Sequence, residues 1–313
     1  MLTAQAVKEF AKEAGADLVG IGSMDRFEGA PKQMDPRYIF PEAKAIIGLA
    51  FRLPRGFFRG IEEGTYFGLY PVMGYGSINV MHAPITLRAL SCFVEDHGYE
   101  AVAYPNIYPA TAQVIETGEM KPNWSRPVSP DKPAPDVLLN FRIAAFICGM
   151  GEIGWSKVFL TPQFGPRQRF AFMLTDAPLD PDPLFDDQIC DRCMMCVKDC
   201  SAKAISRTET ESVTVAGRKL EWGKLDLLKC SIGYTGGVKE TNPFLPEDAD
   251  ESTWQNEFFG GKKVIKWRGT FGNNPAIEGA RGCIRACMIH LEETGKVSNT
   301  FKNPFRKRKM WRL

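Results

Sequence analysis

Four cysteines stand within eleven residues, at Cys190, Cys193, Cys196 and Cys200, in a C-x2-C-x2-C-x3-C run. This is the spacing by which thiolates ligate cubane iron–sulfur clusters, with the first three holding one cluster and the fourth directed at a second. Electron transfer is the chemistry it points to. A structural zinc site would need two pairs of ligands separated by a dozen or more residues, which the run lacks. A disulfide scaffold would be much shorter than 313 residues and would follow an export signal, which is not apparent here.

Two clusters need further ligands, and Cys230, Cys283 and Cys287 supply three. By reciprocal ligation, Cys190, Cys193 and Cys196 take Cys287 as their fourth partner, while Cys200, Cys230 and Cys283 hold the other cluster. The second set is one thiolate short. It is expected either to hold three irons or to complete itself with His290, Cys148 or water, although His290 also reads as an ordinary surface or core histidine. Cys92 and Cys148 lie in apolar stretches and read as small buried hydrophobes.

The elements that position these residues follow from periodicity. Thr3 caps an amphipathic helix over 3–14; strands are expected over 17–22, 44–51, 100–104, 156–161 and 168–175, and helices over 83–97 and 137–147. This alternation predicts an α/β domain over 1–180. Segments 52–80 and 104–136, rich in Gly, Pro and aromatics, read as long loops of the kind that carry binding sites. Ala177–Pro183 reads as a linker into a cysteine domain over 181–313. Gly149, Gly151 and Gly154 spell G-x-G-x-x-G, with Asp176 downstream, but the following β-branched and aromatic residues end at Pro162, so no helix can face a pyrophosphate. The glycines indicate instead that backbone comes close to something.

With 44% hydrophobic and 24% charged residues the chain reads as a soluble two-domain protein. No apolar run reaches the roughly 20 residues a membrane span requires, and a cytoplasmic location is expected. The net charge is +2, yet Lys302, Arg306, Lys307, Arg308, Lys309 and Arg312 crowd into the last twelve residues without an acid. Such a tail reads as a solvated end, with nucleic acid, an acidic redox partner or a membrane surface as alternatives.

Five blocks in order, Asp35–Ala50, Gly149–Gly154, Phe159–Gly165, Leu174–Asp182 and the cysteine run, resemble the epoxyqueuosine reductases and their relatives the reductive dehalogenases. The resemblance implies a nitroreductase-like, corrinoid-binding α/β domain followed by a small ferredoxin-like domain with two iron–sulfur clusters, one 4Fe-4S and the second 4Fe-4S or 3Fe-4S, feeding electrons to a cobalamin. It implies that the corrinoid pocket is lined by Gly149, Gly151, Gly154, Thr161, Phe164 and Gly165, with a small organic substrate and reduced ferredoxin or flavodoxin as electron donor. Departures accompany the match. About two dozen residues follow Cys287 where epoxyqueuosine reductases carry a helical-repeat tail, so the expectation is against transfer RNA. No twin-arginine signal is apparent, which argues against a respiratory membrane role. Glu152-Ile-Gly-Trp-Ser156 and Gly76-Ser-Ile-Asn79 replace family residues of the pocket, and Cys200-Ser and Cys287-Met replace Cys-Pro.

Reduction of a C–halogen, C–O, epoxide or alkene bond leaves an anion that needs a proton donor. Asp136 stands where the resemblance places an acid, though it reads equally as a cap for the helix at 137–147. Tyr75, Tyr104 and Tyr108 are the alternatives, with Arg126 and Arg142 as basic neighbours. Two other readings stay open: an electron-transfer protein that reduces a corrinoid or flavin on a partner, and an iron–sulfur flavoprotein.

Overall fold

A computed structural model describes residues 2–106, 114–116, 119–121, 127–135, 137–243 and 282–305, those of 114–116 and 119–121 by their backbone alone. The first helix, α1 (Ala4–Glu13), is opened by Thr3, whose hydroxyl accepts the Ala6 amide, and it buries Val7 and Ala11 one turn apart. Strands β1 (Leu18–Ser23) and β2 (Ala45–Arg52) follow, then a short α2 (Arg59–Glu63). Residues 70–76 and 78–82, expected as loop, wind instead as two π-helical stretches that run directly into α3 (Ala83–Asp96). Such wide turns are rare and often sit at functional sites. Strand β3 (Ala101–Tyr104), the two short strands β4 (Val114–Glu116) and β5 (Glu119–Lys121), and α4 (Phe141–Ile147) come next. Helix α4 starts later than the pattern predicts because Asn140 caps it, its Oδ1 accepting from the amides of Arg142 and Ile143.

The expected strand at 156–161 shrinks to β7 (Phe159–Leu160), paired with β6 (Glu152–Ile153). Lys157, at φ 64°, turns the chain between them, so the extended run is broken in its middle. Strand β8 (Gln168–Thr175) completes a four-stranded sheet in the order β1-β2-β8-β3. Every neighbouring pair in it is antiparallel, so the mixed helix–strand content forms no parallel βαβ sheet. Alternation along the strands builds two cores. Ile21, Ala45, Ile47, Leu49 and Met173 face α1 and α3, meeting Val7, Leu87, Leu90 and Val94. Ile46, Ala50, Phe170, Phe172 and Leu174 face α4, meeting Ala144, Ala145, Phe146 and Ile147. At about 1.5–3 kcal/mol for each fully buried large side chain, these two faces dominate the stability of the sheet.

Residues 177–183 lie against the sheet rather than swinging free. The Asp182 amide donates to the Ile21 carbonyl (2.8 Å), its Oδ2 accepts from the Ile21 amide (2.8 Å), and its Oδ1 meets Lys8 Nζ at 2.5 Å. Asp176, which a dinucleotide reading of the glycine motif pairs with a ribose, accepts the Glu100 amide. The cysteine run leads into α5 (Met195–Lys198), then a hairpin of β9 (Ile205–Val215) and β10 (Arg218–Leu225). Ala216 (φ 48°) and Gly217 (φ 75°) form its tip, the double left-handed turn that matches strand twist. Helix α6 (Leu227–Thr235) is capped by Asp226, and α7 (Cys283–Glu293) packs Met288 into the core on the α1 side of the sheet. Arg285 of α7 pairs with the buried Glu62 of α2, fixing the helix to the sheet's own periphery. Among the described residues no helix is long and apolar enough to cross a membrane.

Candidate redox site

The loop from Cys190 to Cys196 is curled by two left-handed residues, Arg192 (φ 58°) and Met194 (φ 61°). Burial, with Cys190 and Cys193 adding to it, pushes the Cys196 thiol up to about 11. Cys287, on the first turns of α7, is raised well above the usual thiol range by burial and then by Cys190, Cys196 and Cys193. Cys283, one turn earlier, is raised by burial and then by Cys230, Cys200 and Cys196; Cys230 is raised by burial and by Cys200. The fold therefore brings Cys287 near Cys190, Cys193 and Cys196, and Cys283 near Cys200 and Cys230, with Cys196 close to both sets. All seven thiols are free of disulfides. Crowded buried thiols resist ionisation unless a cation compensates them, so this donor set fits iron–sulfur ligation. Amides already point at two sulfurs: Trp155 N–H lies 3.4 Å from Cys190 Sγ and Ala204 N–H 3.3 Å from Cys200 Sγ.

Neither side-chain candidate for the missing ligand reaches the three-thiol group. His290 Nε2 stands 2.7 Å from Asp191 Oδ2 and clusters with Cys193, on the side of the four-thiol group. Cys148 is buried against the sheet with its Sγ 3.6 Å from the Ile46 carbonyl. Cys92, expected to be buried, is exposed on α3. Glu152 was read only as a departure from a family pattern, yet its Oε1 accepts the amides of Ile189 (2.7 Å) and Cys190 (2.5 Å) and so holds the start of the cysteine loop. Desolvation raises its pKa, and those two amides oppose the shift.

The glycine block packs against protein. A Cβ on Gly149 (φ +69°) would lie 2.2 Å from the Pro183 carbonyl, and one on Gly151 (φ +151°) 1.9 Å from that of Leu160. Gly154 abuts the Leu160 side chain, and Gly165 (φ +58°) lies under Leu291 and Val297. Thr161 is fully buried, its hydroxyl bonded to Gln168 and to the Phe164 amide, and Phe164 lies beneath the Arg52 guanidinium. These residues seat the cysteine segments on the sheet, and the close approach that the glycines permit is to protein backbone and side chains.

A different set of residues is drawn together by the two π-helical stretches and β8. Tyr75, in the first π-helical stretch, lies face-on to Arg169 of β8, with the guanidinium carbon 4.0 Å from the ring centre. Arg169 Nε donates to Asn79 Oδ1 (3.2 Å) of the second stretch. Desolvation lowers the Arg169 pKa, but Tyr75, Tyr70 and Tyr234 outweigh it and the net shift is upward. Arg142 of α4 joins them. Desolvation and then Arg169 lower its pKa, while Cys230, Tyr75 and Cys283 act the other way. Its side chain is nonetheless exposed, so protein surrounds it while solvent still reaches it. Tyr70 is buried beneath, and that burial raises it to about 12. Arg169 had no sequence signal beyond a charge in an otherwise buried strand. Tyr104 belongs elsewhere: its hydroxyl bonds the Val137 carbonyl (2.8 Å) and the Leu139 amide (3.1 Å), and it lines an apolar groove of about 530 Å³ in which no cysteine takes part. Asp136, Tyr108 and Arg126 lie outside the described residues.

No family model matches the chain. It is 34% identical over 109 residues to the tetrachloroethene reductive dehalogenase of Sulfurospirillum multivorans, covering 31% of this chain and 22% of that one. It is 22% identical over 267 residues to an epoxyqueuosine reductase of Bacillus cereus, covering 78% of this chain and 58% of the relative. The chain thus spans less than two thirds of the length of these relatives. Among solved structures, a reductive dehalogenase described for B12-dependent dehalogenation matches with a TM-score of 0.50 and 19% identity over 76% of this chain and 29% of that one. An epoxyqueuosine reductase with an epoxyqueuosine-modified tRNA-Tyr stem loop matches at 0.48 and 16% identity over 94% and 82%. The expectation against transfer RNA is corrected: the curated relatives matched over 78% of this chain are epoxyqueuosine reductases. In sequence the chain is similar to reductive dehalogenases and epoxyqueuosine reductases, and in fold to a reductive dehalogenase.

Proposed function

We propose that the chain is a corrinoid- and iron–sulfur-dependent reductase in which residues 181–313 bring electrons through two clusters to a reaction site formed by residues of 1–180. The observation that carries this reading is the packing of the two parts on one core: Ile284, beside Cys283, and Met288, beside Cys287, pack with the buried Tyr70. Cys190, Cys193, Cys196 and Cys287 would hold one cluster, and Cys200, Cys230 and Cys283 the other. A bound corrinoid supplies a low-potential cobalt able to reduce or cleave a C–halogen, C–O or similar bond. Its place would be beside Tyr75 and Arg169, since the Gly149–Gly165 segment packs against protein.

Tyr75 is the proton donor in this reading. The Arg169 guanidinium lies over its ring and steadies the oxygen as the proton leaves. Asn79 fixes Arg169 from the next π-helical stretch, so one irregular segment carries both the donor and the residue that orients its partner. The test is an absorption spectrum and iron count of the anaerobically purified protein, before and after addition of hydroxocobalamin. Retained cobalamin with an altered cobalt band and about seven to eight irons per chain are expected; flavin bands with no cobalamin uptake would overturn the reading.

A further inference from the structure

One large aromatic side chain lies where the two thiol sets meet. Trp155, in the turn between β6 and β7, is buried and shares an apolar cluster with Cys196 and Ile205, against which Cys190, Cys200 and Cys283 pack. Its backbone amide stands 3.4 Å from Cys190 Sγ, so the residue is placed against the cysteine loop itself. The hairpin β9–β10 holds the indole from another side. Nε1–H donates to the Ser206 carbonyl (3.0 Å), and the Gly223 amide donates to the Trp155 carbonyl (2.9 Å). A Cβ on Gly223 would lie 2.6 Å from Nε1, so a glycine is what lets β10 close on the ring. Arg192 covers a face of the indole, its guanidinium carbon 5.2 Å from the ring centre, and Glu221 Oε1 holds that arginine at 3.0 Å. Sheet, cysteine loop and hairpin thus all fix one side chain, and its single polar atom is satisfied away from the thiols.

We infer that Trp155 is the water barrier of the cysteine site, a positioning residue whose indole keeps solvent from the thiol sets and so keeps the reduction potential of what they hold low. The inference rests on the cysteines holding iron–sulfur clusters, as proposed above, and makes no use of the corrinoid. A thiolate-held cluster is an anion that becomes more negative on reduction. Water stabilises that reduced form, so an apolar wall favours the oxidised form and lowers the potential. A low potential is what a reductase needs of its electron source. The rival account is that Trp155 merely fastens the hairpin to the sheet, which predicts lost stability and an unchanged potential.

The wild type, Trp155→Phe, Trp155→Leu and Trp155→Ala are compared as anaerobically purified proteins. Each is followed by iron count, by redox titration with electron paramagnetic resonance, and by the decay of cluster absorbance in air. Trp222→Phe serves as the control, because it removes a hydrogen bond to Glu211 within the same hairpin while Trp222 belongs to the core on the α4 side of the sheet. Trp155→Ala is expected to raise at least one midpoint, and to lower none, by about tenfold in the one-electron equilibrium constant, ~59 mV. Bleaching in air should quicken by about tenfold or more. Trp155→Phe should recover most of both effects, with Trp155→Leu between them, and Trp222→Phe should lower Tm without moving a midpoint. Where the Trp155→Ala protein does not hold iron, Trp155→Leu is read against the same criteria. The proposal is overturned if the iron-replete Trp155 variants titrate and bleach with the wild type, or if Trp222→Phe shifts the midpoints as far as they do. A wild-type protein that binds no iron overturns the cluster reading and this inference together.

Discussion

Tyr75 and Glu152 carry the sharpest consequences at the scale of single residues. Removing the Tyr75 hydroxyl leaves ring, stacking and fold in place, so Tyr75→Phe is expected to lower turnover by about 10²–10⁴-fold, the usual worth of a positioned acid. Iron content and corrinoid retention should not change, and unaltered turnover would remove Tyr75 from the role. Glu152 acts differently, through the backbone of the cysteine loop. Glu152→Ala strands the amides of Ile189 and Cys190 in a largely buried setting, at about 1–3 kcal/mol for each unsatisfied group. Iron retention during gel filtration should fall in Glu152→Ala and recover partly in Glu152→Gln, which keeps one acceptor oxygen. Equal retention in all three proteins would show that the loop holds its shape without this anchor.

Among the elements, the β6–β7 ladder and the segment at Asp182 hold the cysteine region on the sheet. Gly151→Ala would drive a Cβ into the Leu160 carbonyl at a backbone angle that L-residues rarely adopt, and Leu160 packs on Ile189 and Leu291 beside Cys190 and Cys287. The expected outcome is a fall in Tm of ten degrees or so, or failure to fold, following a strain of about 3 kcal/mol. A variant that melts with the wild type would mean that the ladder opens at little cost. The π-helical stretches are the other element with a function to explain. Tyr75 and Asn79 are four residues apart and both reach Arg169 from the π-helical stretches.

For the molecule as a whole, iron is expected to stabilise one region far more than the other. The sheet has two apolar cores of its own, whereas α5, α6 and the start of α7 converge on free thiols that repel one another when ionised. Metal ligation in such a region is folding energy. After chelation of iron, amide exchange should accelerate sharply over residues 189–236 and 283–287 while β1, β2 and β8 keep their protection. Uniform acceleration would show instead that sheet and cysteine region unfold as one unit, joined through Met288 and the Arg285–Glu62 pair.

The cysteine run, the helix at α1, the strands β1, β2, β3 and β8, and α3 were all legible in the sequence, because ligand spacing and apolar periodicity are local properties that tertiary context seldom overrides. Tyr75 could be listed as one of several candidate donors, but nothing local ranked it above Tyr104. Their hydroxyls differ only in what the fold places opposite them: a guanidinium from β8 in one case, backbone groups of residues 137–139 in the other. The glycine block shows the same limit. Its sequence demanded close approach, and only the packed chain revealed that carbonyls of Pro183 and Leu160, rather than a cofactor, make that approach. The sequence by itself thus determined which atoms could bind iron and placed α1, α3 and the strands β1, β2, β3 and β8. The antiparallel sheet, the convergence of the seven thiols and the stacking of Arg169 on Tyr75 were decided by tertiary structure, since each depends on residues brought together from distant parts of the chain.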